Sequence, residues 1–161
     1  MDIQSNWPAI KKHVSLCFRS NFHVAIASVD QDNHPTVTPI GSLFLNHDQT
    51  GFYFEKFPSK LPESAKFNPA ICVLAVNSSA WFWLTSLFTG RFKTYPAIKL
   101  YGQLGERRKA TEQETQRLQT RMRATKGLQG NAYLWGTMEF VRIIHFTKAE
   151  KIELGKMTEL L

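Results

Sequence analysis

The sequence predicts a mainly β protein, a small antiparallel barrel of six strands with helices at its periphery. Short apolar runs alternate with polar turns along most of the chain, as is typical of strands joined by hairpins. Two hairpins follow one another in the first third of the chain, which predicts a meander. The chain has 161 residues, 43% of them hydrophobic and 20% charged, so one globular domain is expected over residues 1–161.

The predicted strands differ in what their sequences require of their surroundings. The run 70–76, AICVLAV, is continuously apolar, which predicts a strand buried on both faces. The run 36–45 contains Pro39 and Gly41, and both residues weaken the interior of a strand. We therefore expect something other than another strand to lie against it. The six strands are expected at residues 23–29, 36–45, 52–55, 70–76, 97–104 and 137–146, with a short seventh at 151–154.

The first predicted helix covers residues 6–19. Ser5 or Asn6 can cap its amino end, and Pro8 then falls in the first turn, where a missing N–H does no harm.

Two further helices are expected at residues 62–67 and 111–125. Thr111 and Glu114 form the T-x-x-E pattern of a capping box at the start of the second of these. Its few apolar residues include Leu118, so a surface helix with a narrow buried stripe is predicted.

The segment 77–96 is an aromatic-rich insertion between two predicted strands. Its most apolar part, AWFWLTSLF at 80–88, is too short to cross a bilayer, since a spanning helix needs about 20 apolar residues. A core segment, an interface segment and a membrane-surface segment all remain open.

The cysteines and the amino terminus bear on localisation. Cys17 and Cys72 lie among apolar neighbours, which favours buried free thiols and a reducing compartment. The first residues lack the basic and apolar pattern of a signal peptide. A cytoplasmic protein with no membrane partner is therefore predicted.

The formal charge of +7 favours partners that carry phosphate, whether nucleic acid, lipid headgroups or a small molecule. A nucleic-acid interface is the minority interpretation, because basic residues on a helix usually face solvent and no recognition motif accompanies them. The basic residues concerned are 107–109, Arg117, Arg121, Arg123 and Lys126.

No metal site and no catalytic residue are predicted. The five histidines lack HxH or HExxH spacing, and no GxSxG occurs. The acidic turn 30–33 lacks the glycine and glutamate of a calcium loop, since Pro35 and Gly41 stand at those positions.

The sequence Pro58-Ser59-Lys60 follows the third predicted strand and precedes a short helix. A hydroxyl, an ammonium group and helix-start N–H groups can together hold a phosphate. A loop with a solvated lysine is the competing interpretation.

The order of these segments resembles the pyridoxamine 5′-phosphate oxidase-like flavoproteins, the FMN-binding split barrels. The resemblance covers about residues 20–154 and rests on the order of several short motifs. These are HVAIASV, PTVTPIGSLFL, GFYFE, SKL before FNPAICVLAV, and IKLYGQLGE.

The resemblance implies a six-stranded antiparallel split β-barrel of Greek-key type, which forms a homodimer with two FMN sites at the interface. The isoalloxazine ring would lie against the second strand, Ser59 and Lys60 would hold the phosphate, and Trp135 would form a wall contributed by the partner chain. The implied cofactor-binding residues are Thr38, Pro39, Ile40, Gly41, Tyr53, Phe54, Ser59, Lys60, Lys99 and Trp135.

The chain also departs from pyridoxine phosphate oxidases. The spacing from Lys60 to Asn68 is one residue longer, Ala97 replaces a polar residue, and the arginine-rich substrate segment is not recognisable in 148–161. A substrate other than pyridoxine 5′-phosphate is therefore expected.

The expected activity is that of an FMN-dependent oxidoreductase that transfers hydride through flavin N5 to or from a small molecule. Arg91, Lys93 or Lys99 could orient an anionic substrate. The alternative is a non-catalytic flavin, deazaflavin or haem binder, and haem would require an axial ligand. For the insertion 77–96, a lid over the flavin, a wider dimer interface and ordinary core packing stay open.

Overall fold

Seven strands form one antiparallel sheet in the computed structural model, which describes residues 1–57 and 60–161. The strands are β1 (Val24–Val29), β2 (Pro35–Ile40), β3 (Leu43–Leu45), β4 (Thr50–Phe54), β5 (Ala70–Val76), β6 (Ala97–Lys109) and β7 (Phe140–Lys151). The helices in the described ranges are α1 (Ile3–Asn21), α2 (Lys60–Phe67), α3 (Ala80–Thr89), α4 (Glu112–Arg121) and α5 (Gln129–Trp135), with short 3₁₀ turns at Arg123–Thr125 and Gly155–Met157.

The strand order is β2-β1-β5-β6-β7-β4-β3, and every neighbouring pair is antiparallel. The two edge strands, β2 and β3, are consecutive in the chain and are joined only by Gly41 and Ser42. The sheet must therefore curl until its edges approach each other at this link. The mainly β split-barrel prediction is confirmed, with seven strands where six were expected.

The additional strand arises because the predicted strand 36–45 breaks at Gly41 and Ser42. Pro39 is tolerated in β2 because an edge strand has a neighbour on one side only. At the break the Ser42 hydroxyl accepts the Phe54 N–H at 3.1 Å and donates to the Phe54 carbonyl at 3.3 Å. A side chain thus replaces main-chain pairing where the chain passes from one edge to the other.

The end of the chain also differs from expectation. β6 and β7 continue pairing as far as Ile98 and Lys151, so the prediction of a separate strand at 151–154 is wrong.

Helix α1 begins at Ile3, three residues before the predicted start at residue 6 and on the amino side of both Ser5 and Asn6. Asp2 caps it by accepting the Ser5 N–H at 2.9 Å, so the prediction of a cap at Ser5 or Asn6 is wrong. A carboxylate three residues ahead of an N–H satisfies the same need as a hydroxyl cap. Pro8 consequently lies inside the helix.

The inner side of the curled sheet is filled by α1. Ile10, Val14 and Cys17 are buried there against β1, β5 and the other strands. His13 is buried on the same helix.

The outer side of β3, β4 and β7 is covered by α4, whose capping box between Thr111 and Glu114 is confirmed. Leu118 packs there in a cluster of buried apolar residues. We call this surface the covered face, and its strand residues are Phe44, Phe52, Phe54 and Val141.

The outer side of β1, β2 and β5 is different, because its side chains remain partly exposed. The strand β5 alternates between buried and half-buried residues, so the prediction of burial on both faces is not met within one chain. We call this surface the open face, and its residues are Ala25, Ala27, Val29, Val37, Cys72, Leu74 and Val76.

Membrane-spanning helices are not found in the described ranges, where no helix is both long and apolar enough to cross a bilayer.

Candidate functional site

The link between β2 and β3 lies beneath an aromatic ring. A Cβ atom added to Gly41 would come within 3.0 Å of the Trp135 indole and 3.2 Å of the Phe22 carbonyl oxygen. Glycine is therefore the residue that lets a flat ring rest on the main chain here. Two predicted site residues, Gly41 and Trp135, are thus brought together, and Trp135 comes from the same chain.

An arginine that the sequence interpretation treated as a surface cation holds this link in place. Arg121 on α4 donates from Nη1 to the carbonyl oxygens of Leu43 at 2.6 Å and Gly41 at 3.3 Å. Its guanidinium carbon also lies 3.6 Å from the centre of the Phe44 ring. Burial lowers the pKa of Arg121 to about 10, so the group keeps its charge at neutral pH.

One turn earlier on α4, Arg117 acts on the same strand. It donates to the Leu45 carbonyl at 2.9 Å and to Asn46 Oδ1 at 3.0 Å. No local pattern distinguishes Arg117 and Arg121 from solvated lysines and arginines, since their partners lie more than 70 residues away. Sequence reasoning therefore missed both contacts.

A cleft of about 1050 Å³ opens between the end of α1 and α4, next to Trp135. Its apolar lining includes Phe18, Phe22 and Phe44. The guanidinium groups of Arg117 and Arg121 also line it. Its volume and its mixture of aromatic walls and a few charges are those of a small-molecule site. The cleft was not predicted, because it joins segments that are far apart in the sequence.

The other predicted residues of β2 face two ways. Thr38 and Ile40 share the inner side with β1, and Ile40 is buried in the core. Pro39 is exposed on the outer side, beside the open face. A ligand that lay along β2 would therefore meet Ile40 through its main chain.

Tyr53 and Phe54 are both buried side chains. The Tyr53 hydroxyl lies in the barrel interior and donates to Glu55 Oε2 at 3.1 Å. Burial raises the pKa of the Tyr53 phenol, and the nearby Glu55 carboxylate raises it further. Phe54 belongs to the covered face. As with Ile40, a ligand could contact these two residues only through their main chain.

A charged cluster at the end of β4 was not predicted either. The Glu55 carboxylate accepts a hydrogen bond from Arg142 Nη2 at 3.2 Å and pairs with Arg107 Nε at 3.0 Å. Hydrogen bonding to Glu55 raises the pKa of Arg142. Arg107 in turn stacks on Phe140, 3.7 Å from the ring centre. The cluster fastens β4, β6 and β7 to one another.

Lys60 is exposed at the start of α2, in a shallow groove near the turn between β1 and β2. Asp30, Asp32 and Glu63 line the same groove, so its local charge is mixed. Ser59 lies outside the described residues. Gly41 is at the opposite end of β2, about 20 Å away along a six-residue strand. Lys60 and Gly41 thus mark the two ends of β2.

Lys99 lies on β6, half-buried, where it pairs with Leu74 on β5 and Glu150 on β7. Two strands separate it from β2, which corresponds to about 14 Å across the sheet. One chain therefore does not bring Lys99 next to Thr38 and Gly41. It lies instead at the border of the open face.

Comparison with solved structures identifies the fold, whereas comparison of the sequence finds no relative. No protein-family model matches the chain, and no curated protein matches it. An FMN-binding protein from Syntrophomonas wolfei superimposes with a TM-score of 0.60 at 13% identity, covering 94% of this chain and 95% of that one.

Two other solved structures of similar size share the arrangement. A candidate pyridoxamine 5′-phosphate oxidase from Lactobacillus delbrueckii has a TM-score of 0.52 at 19% identity, covering 87% of this chain and 91% of that one. HutZ, the haem storage protein of Vibrio cholerae, has a TM-score of 0.52 at 12% identity, covering 89% and 92%. The chain therefore has the split-barrel fold of the pyridoxamine 5′-phosphate oxidase-like proteins.

Proposed function

We propose that this protein binds FMN at the β2 strand and the Gly41 link, as a homodimer, and uses it as an oxidoreductase. The observation that carries the proposal is the contact between Gly41 and Trp135. The Trp135 indole lies against the main chain at the break in the barrel with no side chain in between, which supports a flat aromatic ring as a ligand at this place. A solved protein of the same fold is an FMN-binding protein.

The homodimer is supported by the open face. A sheet face that meets solvent normally carries polar residues, whereas Ala27, Cys72 and Leu74 are apolar and only half-buried. A second copy packed on this face would remove them from water. It would also bring another chain next to Pro39 and Lys99, at the border of the same face.

Lys60 is the proposed phosphate ligand. Its exposed ammonium group stands at the far end of β2 from Gly41, as an elongated mononucleotide lying along the strand requires. The carboxylates of Asp30 and Glu63 in the same groove oppose anion binding. The phosphate contact therefore needs a direct test.

When bound, FMN supplies hydride transfer through its N5 atom. Because the Trp135 indole occupies the space over Gly41, the flavin ring would lie beside the indole, against main-chain groups of β2. Arg121 fixes the position of the link through the Gly41 and Leu43 carbonyls.

Titration of ligand-free protein with FMN and with riboflavin tests the proposal. FMN is expected to bind at least about tenfold more tightly, because only FMN offers a phosphate for a charge-assisted contact. Lys60→Ala should remove most of that preference. Lys66→Ala, a second exposed lysine of α2 that lines the same groove, should keep it.

Equal FMN preference in Lys60→Ala and the unchanged protein would show that the phosphate lies elsewhere. Absence of any flavin binding would overturn the proposed cofactor. Salt-sensitive binding of nucleic acid in its place would favour the basic surface as the functional one.

Haem binding is the second candidate, because the cleft beside Trp135 has a volume of about 1050 Å³ and aromatic walls. Met122 lines the cleft and offers a thioether, which can serve as an axial ligand. Within the described ranges no histidine lines it. Titration with haemin should produce a Soret band that Met122→Ala shifts, if this candidate is correct.

A further inference from the structure

Helix α3 carries large apolar side chains on its outer side. Trp81 is 73% exposed, Leu84 60% and Phe88 92%, and their spacing places them on one side of the helix. Leu87, on the adjoining row, is 66% exposed. We call these four residues the α3 patch.

The opposite side of α3 is anchored to the protein. The Trp83 indole N–H donates to the Asn77 carbonyl at 2.7 Å, and the rings of Phe82 and Trp83 lie 5.4 and 5.2 Å from that of Phe92. The Phe92 N–H donates to the Met157 carbonyl at 2.8 Å. Core packing therefore accounts for the inner residues of the aromatic insertion and leaves the α3 patch without a role.

Both ends of the helix are well formed, so the patch is a fixed surface. The Ser79 side chain caps the amino end by accepting the Phe82 N–H, and Gly90 ends the helix in the left-handed conformation with φ of 68°. A helix of ten residues measures about 15 Å, which is half the thickness of a bilayer core. Spanning is excluded, and lying flat on a surface is not.

Three basic residues lie near the patch. Arg91 and Lys93 follow the helix and are exposed, and Arg19 lines a groove together with Trp81 and Lys93. No aspartate or glutamate occurs anywhere between Glu63 and Glu106 in the sequence. The side of the patch that carries Arg19, Arg91 and Lys93 is therefore complementary to an anionic surface. The segment 157–161, which includes Glu159, packs against Phe92 and Tyr95 on the inner side of the insertion.

The α3 patch on its own is too small to form a stable dimer interface. Four side chains with these exposures present on the order of 500 Å², whereas a stable dimer buries roughly 800 Å² per partner. Tryptophan and phenylalanine are the residues found where a protein meets the boundary between headgroups and acyl chains. The chemistry of the patch is that of a bilayer surface.

We propose that the α3 patch docks on an anionic membrane surface, with Trp81 and Phe88 at the acyl boundary and Arg19, Arg91 and Lys93 on lipid phosphates. This goes beyond flavin binding and does not depend on it. It also departs from the expectation of no membrane partner, although a membrane-surface segment was one of the three alternatives left open for residues 80–88.

Flotation of the full chain with vesicles tests the proposal. The protein should bind vesicles of phosphatidylcholine with phosphatidylglycerol, should not bind pure phosphatidylcholine, and should be released as salt is raised. Phe88→Ser should weaken binding at least about tenfold, because it removes a large apolar side chain from lipid. Phe67→Ser on α2 replaces another phenylalanine, 63% exposed, and should change nothing.

The charged edge has its own test. Arg91→Gln combined with Lys93→Gln should weaken binding to the anionic vesicles and reduce its salt dependence. Brominated acyl chains should quench the fluorescence of the unchanged protein, and quenching should decrease in Trp81→Leu.

Three results with vesicles would overturn the proposal, and a fourth concerns the oligomeric state. The first is no vesicle binding, the second is equal binding to neutral and anionic vesicles, and the third is equal weakening by Phe88→Ser and Phe67→Ser. If Phe88→Ser instead converts a dimer to a monomer without affecting vesicles, a second copy covers the patch and the membrane assignment is wrong.

Discussion

The open face and the covered face are outer surfaces of one continuous sheet, yet they are built from different side chains. The covered face has three phenylalanines, which interlock with Leu118 of α4. The open face has alanine, valine and cysteine with a single leucine, Leu74, so its side chains are smaller than those of the covered face. Large side chains can interdigitate with those of a helix, whereas small side chains allow a second sheet to approach closely.

This contrast indicates that the two faces are completed by different means. The chain covers one face itself, through α4, and leaves the other face half-exposed, where the proposed second copy would pack. Substitutions on the covered face should therefore change the stability of the fold, whereas substitutions on the open face should change dimerisation.

The largest effect is expected on the covered face. Phe52→Ala removes a fully buried ring and should lower the free energy of unfolding by about 3–5 kcal/mol, because a cavity remains under α4. Urea denaturation measures this. Val37→Ala on the open face is the control and should change stability by less than about 0.5 kcal/mol in the monomer. Equal losses would show that the two faces are equally packed.

A charge on the open face should act on assembly and leave folding intact. Leu74→Glu is expected to weaken dimerisation by about a hundredfold, which corresponds to about 2.7 kcal/mol, because the carboxylate would be buried between the chains. Sedimentation equilibrium gives the dissociation constant, and circular dichroism should be unchanged. Gln119→Glu, on the exposed side of α4, should leave the dimer as it is. An undisturbed dimer in Leu74→Glu would place the interface elsewhere.

His13 lies on the inner side of the sheet, next to the main chain of Ala75 in β5, and should make stability depend on pH. Burial lowers the pKa of His13, and its Nε2 atom has no partner among the described residues. Between a pH of about 6.5 and the lower pKa of the folded state, the unfolded chain binds a proton that the folded chain does not. The free energy of unfolding therefore decreases as pH is lowered through this window, by up to about 1.4 kcal/mol per pH unit.

His13→Leu should remove this dependence. Urea midpoints at pH 7.5 and 5.5 for both proteins give the difference, and parallel changes in the two would exclude His13 as the cause.

The smallest of these effects concerns the amino end of α4. Thr111→Ala removes the hydroxyl of the capping box, which accepts the Glu114 N–H at 3.2 Å, and should cost about 1 kcal/mol. Gln119→Ala on the same helix should have little effect. If the cap stabilises the covered face, its loss in Thr111→Ala should also increase hydrogen exchange around Leu118.

Local patterns explain which parts of this structure were predictable. The strand β5 and the capping box at Thr111 depend on neighbouring residues, and both were found. The apolar run of β5 could not reveal whether its second face is covered by the same chain or by another. Helix α5 was missed because its seven residues carry no periodic apolar pattern, and they include a glycine.

The candidate site was only partly predictable for the same reason. Pro39 and Gly41 signalled an interruption, and the structure shows what it separates. The contacts of Arg121 with Gly41 and Leu43 and the cleft beside Trp135 join distant segments. Such pairings follow from the topology, which composition does not specify.

The edges of the sheet determine how copies of this chain can associate. β2 carries Pro35 and Pro39, and β3 is only three residues long. A proline-bearing strand and a very short one are poor templates for an incoming strand, which discourages edge-to-edge growth. Copies that meet through faces can form a closed pair, whereas copies that meet through edges can extend without limit. The Gly41-Ser42 link thus connects two edge strands that are poor templates for strand addition, which favours a finite assembly over a fibre.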